Sequence, residues 1–367
     1  MAIYAATATT FLSTALTIEL PREFLSVDFA AQLFAITWIN TKVTIKALRY
    51  ISGILACIFG FLLMPQILLL IQLTAFSLIE VKLSIQNGIP MVNWPVFQLG
   101  LPALCFITGS YLLRRQKDDK LVSSLEISSI ALSGVMGYYL IRHIFHVNEN
   151  VLFVKAGFFE RGVITNVLFL YGLACLWVGR HFTRQAVSLS GIVLSVIAMF
   201  RICYFDLLIY NPLWSSQAVG KFLIFNALLL TYGLPIVWTS KIISHIKKVE
   251  WKRYSYIFML LLSFVLVSLN VQQMFHGEYL NKYEISNFEI YSYSIIWLIF
   301  GIILLLFGAL QQNQSIRIAS LVVMILTVGK VFLYDASELT GLLRVFSFFG
   351  LGLSWFYAQF VFRKCEK

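Results

Sequence analysis

Six side chains in the last third of this 367-residue chain are of types that do chemistry: His276, Glu289, Lys330, Asp335, Glu338 and Arg344. An imidazole with carboxylates suits acid–base work, and Lys or Arg suits a phosphate or carboxylate ligand. Four of the six have earlier counterparts. Glu160 and Glu289, Arg201 and Lys330, and Asp206 and Asp335 are separated by one common interval, and His146 and His276 by a single position more. Random apolar sequence would not hold four polar landmarks in register, so the spacing reads as an internal duplication. Glu338 and Arg344 add charge to the later set alone and make it the stronger candidate site.

The same residues also fit ordinary helix ends. Ser286-Asn-Phe-Glu289 and Asp335-Ala-Ser-Glu338 match capping boxes, and Gly157-Phe-Phe-Glu160 matches a looser one. His276 before Gly277 suits a helix C-terminus, where glycine takes the left-handed cap and His meets the negative end of the dipole. Arg201 and Lys330 could snorkel to headgroups. In an α-helix, five residues turn through ~500°, which sets Lys330 from Asp335 about 140° apart. Each is therefore expected to address another helix or the interface. His143 and His146 could share a metal, but Arg142 beside them argues against it and Gln273 replaces His143 in the later copy. No metal site is expected. Without a nucleotide-binding loop, a zinc-protease helix or a nucleophile elbow, no cofactor is expected either.

The elements that must position these groups are membrane helices. The chain is 59% hydrophobic and 12% charged, with mean hydropathy +0.83, whereas soluble domains carry about 25% charged residues. Its aromatic content of 16% supplies interfacial belts. Five cysteines form no CxxC pair and read as small buried hydrophobes. Apolar periodicity predicts twelve helices, near 3–18, 27–41, 46–72, 92–113, 124–146, 161–179, 186–209, 219–243, 254–276, 290–310, 316–334 and 341–362. Alternate loops, with Glu126 beside them, hold 18 of the 28 Lys and Arg but only 5 of the 17 acids. That bias is the positive-inside pattern for both termini in the cytoplasm. Accordingly, the net charge of +11, including the run Lys247-Lys248-Val249-Glu250-Trp251-Lys252-Arg253, anchors topology at anionic headgroups. Nucleic acid is not an expected partner.

Three parallel four-helix units follow, over 1–120, 121–250 and 251–367, the first degenerate. In that first unit Asn93 and Gly100-Leu101-Pro102 share one offset from Asn226 and Gly233-Leu234-Pro235. Ser52-Gly53-Ile54 precedes Ser190-Gly191-Ile192 by a slightly larger offset, so an insertion or deletion separates these landmarks. Leu63 and Leu68 stand where Arg201 and Asp206 would fall. The Gly-Leu-Pro runs read as kinks or as breaks in a discontinuous helix. Residues 46–83 would reach ~55 Å as one helix, too long for a single crossing. Pro65 offers a kink or a division into two spans, and the charge bias favours one crossing followed by an outer segment.

The carboxyl-terminal third resembles a bacterial family of predicted membrane proteins, domain of unknown function 2339. The residues that carry the likeness are Phe275-His276-Gly277, Glu289-Ile-Tyr-Ser-Tyr-Ser-Ile-Ile-Trp297, Lys330-Val-Phe-Leu-Tyr-Asp335, Leu339-Thr-Gly-Leu-Leu-Arg344 and Ser347-Phe-Phe-Gly-Leu-Gly352. Asn211-Pro212 and the stretch from Asn226 to Pro235 match its preceding unit, and Ile18 to Trp38 match more loosely. The chain resembles a short member or the carboxyl-terminal part of a longer one. The resemblance implies the bacterial inner membrane and brings no established activity.

Three functions fit these residues. The leading one is a carrier or lipid-handling protein with a polar site facing the outer side, supported by the repeats and intramembrane charges. An integral membrane enzyme acting on an envelope lipid or glycan would use Glu289, Asp335 or His276 as acid or base and Lys330 or Arg344 as a phosphate ligand. A scaffold of an envelope complex would use the charges only to fix helix ends. Membrane lipids are the expected partners throughout, joined by complex subunits in the scaffold reading.

Overall fold

The computed structural model describes residues 25–43, 46–79, 96–145, 156–246, 248–282, 286–312 and 314–333, with isolated positions before residue 25. Among these, ten α-helices and three π-helical turns make up the fold. The helices are α1 (Leu25–Lys42), α2 (Lys46–Ile79), α3 (Leu101–Arg114), α4 (Lys120–Phe145), α5 (Phe158–His181), α6 (Gln185–Arg201), α7 (Leu234–Ile243), α8 (Val249–His276), α9 (Asn287–Leu310) and α10 (Gln314–Leu333). Among the described residues, seven helical segments are long and apolar enough to cross a membrane. Since hydrocarbon offers backbone groups no hydrogen bonds, helices that satisfy themselves are the form such a sequence must take. The expected helix at 341–362 lies outside the described residues, and of that at 3–18 only Tyr4, Thr7, Phe11 and Ala15 are described.

Two expectations change in detail. The run at 46–83 is one unbroken helix through Ile79 that contains Pro65. The helix expected over 219–243 starts later, because Gly220 sits at φ +104° and residues 221–226 follow as successive bends. Asn226 then starts the helix, its Oδ1 accepting from the Leu229 amide at 2.8 Å. Here the Asn side chain does what an N-cap does.

The chain forms two compact units, Met1–Ile209 with Trp238–His245 and Tyr210–Val237 with Ile246–Lys367. In the first, a core on α1 to α4 gathers Phe29, Leu33, Phe59, Phe106, Leu125 and Tyr139. Phe59 and Phe106 meet edge to face, with centroids 4.8 Å apart. At one end Asn40 and Gln116 exchange hydrogen bonds of 2.7 and 2.6 Å. Helices α5 and α6 approach so closely that a Cβ on Gly179 would lie 2.5 Å from the Ser188 amide nitrogen. Small residues permit such contact between membrane helices.

In the second unit, α9 and α10 are joined in the same manner. Helix starts at 120, 158 and 185 reappear at 249, 287 and 314, shifted by the interval that separates Glu160 from Glu289. Thr183, after α5, has φ +53°, and Gln312, after α9, has φ +50°. Thr183 N donates to Arg180 O, and Gln312 N donates to Ala309 O, both at 3.2 Å. Gly308 faces Arg317 with a Cβ-to-amide distance of 3.0 Å, where Gly179 faces Ser188.

Both Gly-Leu-Pro runs begin where a π turn ends, Val96–Gly100 before Pro102 and Leu229–Gly233 before Pro235. Proline cannot donate to the carbonyl four residues back and its ring crowds it. A wider π turn relieves that clash.

Candidate functional site

In the second unit, His276 ends α8 and Glu289 lies in the first turn of α9. His276 Nε2 and Glu289 Oε2 are 2.8 Å apart, with Glu289 fully buried and His276 6% exposed. The capping geometry is present as well. Ser286 Oγ accepts from the Glu289 amide at 3.3 Å, and Gly277, at φ +71°, donates its amide to Gln273 O at 2.8 Å. Backbone caps thus hold the two side chains where they meet. Tyr293, one turn along α9, donates its hydroxyl to Glu289 Oε1 at 3.4 Å. Lys330 of α10 donates to the backbone carbonyl of Ile290 and, at 2.6 Å, to Ser294 Oγ. Asp335, Glu338 and Arg344 lie outside the described residues, as does His146.

In the first unit the charges form a denser network. Arg142, in the last turn of α4, donates to Glu160 Oε1 at 2.6 Å. Arg161 Nε donates to Asp206 Oδ1 at 2.8 Å, and its Nη1 donates to Ala156 O at 2.9 Å. Arg201 Nη1 donates to Arg161 O at 2.9 Å and to Thr165 Oγ1. Arg142, Glu160, Arg161, Thr165 and Asp206 are buried, and Arg201 is partly buried. The structure therefore brings together Glu160, Arg201 and Asp206 from the expected set and adds Arg142, Arg161 and Thr165.

The angle expected between Lys330 and Asp335 falls outside the described residues, but the earlier pair Arg201 and Asp206, also five residues apart, can be seen. Residues Ile202–Ile209 are π-helical, not α-helical. Bonding from i to i+5 enlarges the turn, so residues five apart fall nearer one face. Both side chains accordingly reach α5.

In the sequence Arg142 stands only as an argument against a metal, and Arg161, Thr165 and Ser294 are not among the candidate residues. A usable signal existed. Ile290 and Ser294 follow Arg161 and Thr165 at the same interval by which Lys330 follows Arg201. In each case a cation donates to a carbonyl and to the hydroxyl four residues beyond it.

A separate polar cluster joins helix ends of the first unit. Arg49 donates to Asp119 at 2.8 Å and to Lys117 O at 2.6 Å. Arg184 pairs with Asp118, and with Glu126 at 2.9 Å. The Arg49 bond holds the Asp119 carboxyl below the usual carboxylate range, and the Arg184 bond does the same for Asp118. These contacts tie the 115–119 turn to its neighbours.

A family-wide sequence model, predicted membrane protein (DUF2339), matches residues 1–360. The chain belongs to this family. No curated protein and no solved structure matches the chain. Membership in DUF2339 agrees with the multi-pass helices just described and brings no reaction with it.

Proposed function

We propose that this member of DUF2339 is a carrier of the bacterial inner membrane that handles a lipid or other envelope component bearing an anionic group. Its twelve spans would form three parallel four-helix units, the first degenerate, with both termini cytoplasmic. Duplication accounts for the common displacement of helix starts, positive-φ turns and cation contacts. The matching π turns before the two Gly-Leu-Pro prolines support the first unit. The charge bias of the loops supports an outer-side position for the buried networks.

One observation carries the reading: Arg142, Glu160, Arg161 and Asp206 are buried together on apolar helices, with Arg201 joined to them. Ionisable groups at such depth are costly and mark functional sites by default. Guanidinium groups bind phosphate or carboxylate through paired donors. An arriving anion would compete with Glu160 for Arg142 and with Thr165 for Arg201.

A second reading is favoured by a different contact. Arg201 and Lys330 both end on a carbonyl and a hydroxyl of the neighbouring helix, as a helix fastener would. Arg201→Met and Lys330→Met separate the two, since Met keeps much of the apolar stem and loses the charged head. A carrier predicts detergent-solubilised variants that melt close to wild type yet fail to complement a deletion strain under envelope stress. Fasteners predict a clear fall in Tm. Full complementation by both variants would remove the carrier reading.

A further inference from the structure

After the bends at 221–226, helical structure runs from residue 227 to 243. At 1.5 Å per residue that stretch measures ~25 Å, short of the ~30 Å of hydrocarbon in a bilayer. The residues just before it are apolar but not helical. Phe222, Leu223, Ile224 and Phe225 follow one another through the bends and are 74%, 43%, 67% and 82% exposed. Four large apolar side chains exposed in succession mark an interaction surface, since water disfavours such a run. Lys221, exposed as well, stands at its start.

Side chains of the same unit hold the backbone of this segment. Gln273 of α8, 3% exposed, donates its carboxamide to Gly220 O at 2.7 Å and to Phe222 O at 3.1 Å. Asn226 Nδ2 donates to Leu223 O and to Asn270 Oδ1 of α8, both at 2.8 Å. Main-chain bonds close the base: Ala227 N donates to Val219 O at 2.9 Å, and Val219 N donates to Glu278 O at 3.0 Å. A loop in water has its carbonyls solvated. A non-helical segment that enters hydrocarbon must have them met by the protein. The carbonyls of Gly220, Phe222 and Leu223 are met in that way.

We propose that Phe222 to Phe225 form a wedge inserted in the lipid leaflet at the carboxyl end of α8, which the loop charge bias marks as the outer one. Its ligand class is phospholipid. The four apolar side chains lie among the upper acyl chains and cover the thickness that the short helix leaves open. The Lys221 ammonium meets headgroup phosphate. Gln273 and Asn226 tether the segment to α8, so the protein sets the depth of the wedge. Trp214, 57% exposed and shortly before the segment, adds an aromatic ring of the kind enriched at membrane interfaces. The insertion needs no transport, so it stands or falls apart from the carrier reading.

The test reads depth directly. In a background whose native cysteines are replaced, Phe222→Cys, Ile224→Cys and Phe225→Cys each carry a nitroxide label in liposomes of phosphatidylethanolamine and phosphatidylglycerol. Collision with oxygen, which partitions into lipid, is compared with collision with a water-soluble nickel chelate. The three labels are expected to favour oxygen and to report a depth of about 5–10 Å below the phosphates. A label at Lys282→Cys, in the exposed turn after α8, is expected to favour nickel. Labels at 222, 224 and 225 that meet nickel as freely as the one at 282 overturn the proposal. Labels shielded from both reagents overturn it too, because a protein surface such as a second copy of the chain then covers the segment. Gln273→Leu removes the tether, and the label at 225 is expected to lose most of its depth; an unchanged depth overturns the role given to Gln273. Depth is read without any transport or complementation, so failure of the wedge leaves the carrier reading intact, and failure of the carrier leaves the wedge.

Discussion

Arg161 serves two partners at once, giving its guanidinium to Asp206 and its carbonyl to Arg201. In the buried interior of the first unit, neither charge of the Arg161–Asp206 pair can fall back on water. Removing one partner from a buried pair costs ~3–5 kcal/mol, whereas replacing both with apolar residues of similar volume is often neutral. Arg161→Met is therefore expected to lower the Tm of the solubilised protein sharply. Arg161→Met with Asp206→Leu should recover most of that loss. A single variant as stable as wild type would show that the pair contributes nothing to folding. Glu160, Glu289, Arg201 and Lys330 were legible as candidates because their spacing repeats. Arg161 was not, because its partner lies 45 residues away and no local pattern links the two.

At the scale of elements, the α5–α6 and α9–α10 hairpins share a design that depends on backbone proximity. A Cβ at Gly179 would meet backbone of α6 at 2.5 Å, and a Cβ at Gly308 would meet Arg317 N at 3.0 Å. Overpacking of this kind typically costs about 1–3 kcal/mol. Gly179→Ala is expected to lower Tm more than Gly308→Ala, since its new methyl group has the harder clash. Equal melting temperatures would mean that the helices part freely. Helix existence was readable from apolar length at nearly every described span. The π turns were not, because they arise where proline denies one backbone bond and neighbouring contacts decide how the turn widens. For a related reason the segment at 219–226 departs from the helix its composition suggests: Gln273, on another helix, takes its carbonyls.

For the whole molecule, the orientation is testable without any substrate. In a background whose native cysteines are replaced, Lys248→Cys and Lys282→Cys are expected to react with impermeant reagent from opposite sides, and Lys42→Cys from the Lys248 side. Labelling of 248 and 282 from one side would sink the twelve-span arrangement. The amino-acid sequence determined by itself that bilayer is the solvent, that the fold is helical and where most helices run. These follow from sums over local windows, in which hydrophobic length and loop charge add residue by residue. Only the tertiary structure decided which groups these charges meet: Arg142 at Glu160, His276 at Glu289, Thr165 at Arg201 and Ser294 at Lys330. A partner is fixed by the azimuth of each side chain about its helix and by the approach of the neighbouring helix. A single π turn changes the first, and a glycine contact sets the second.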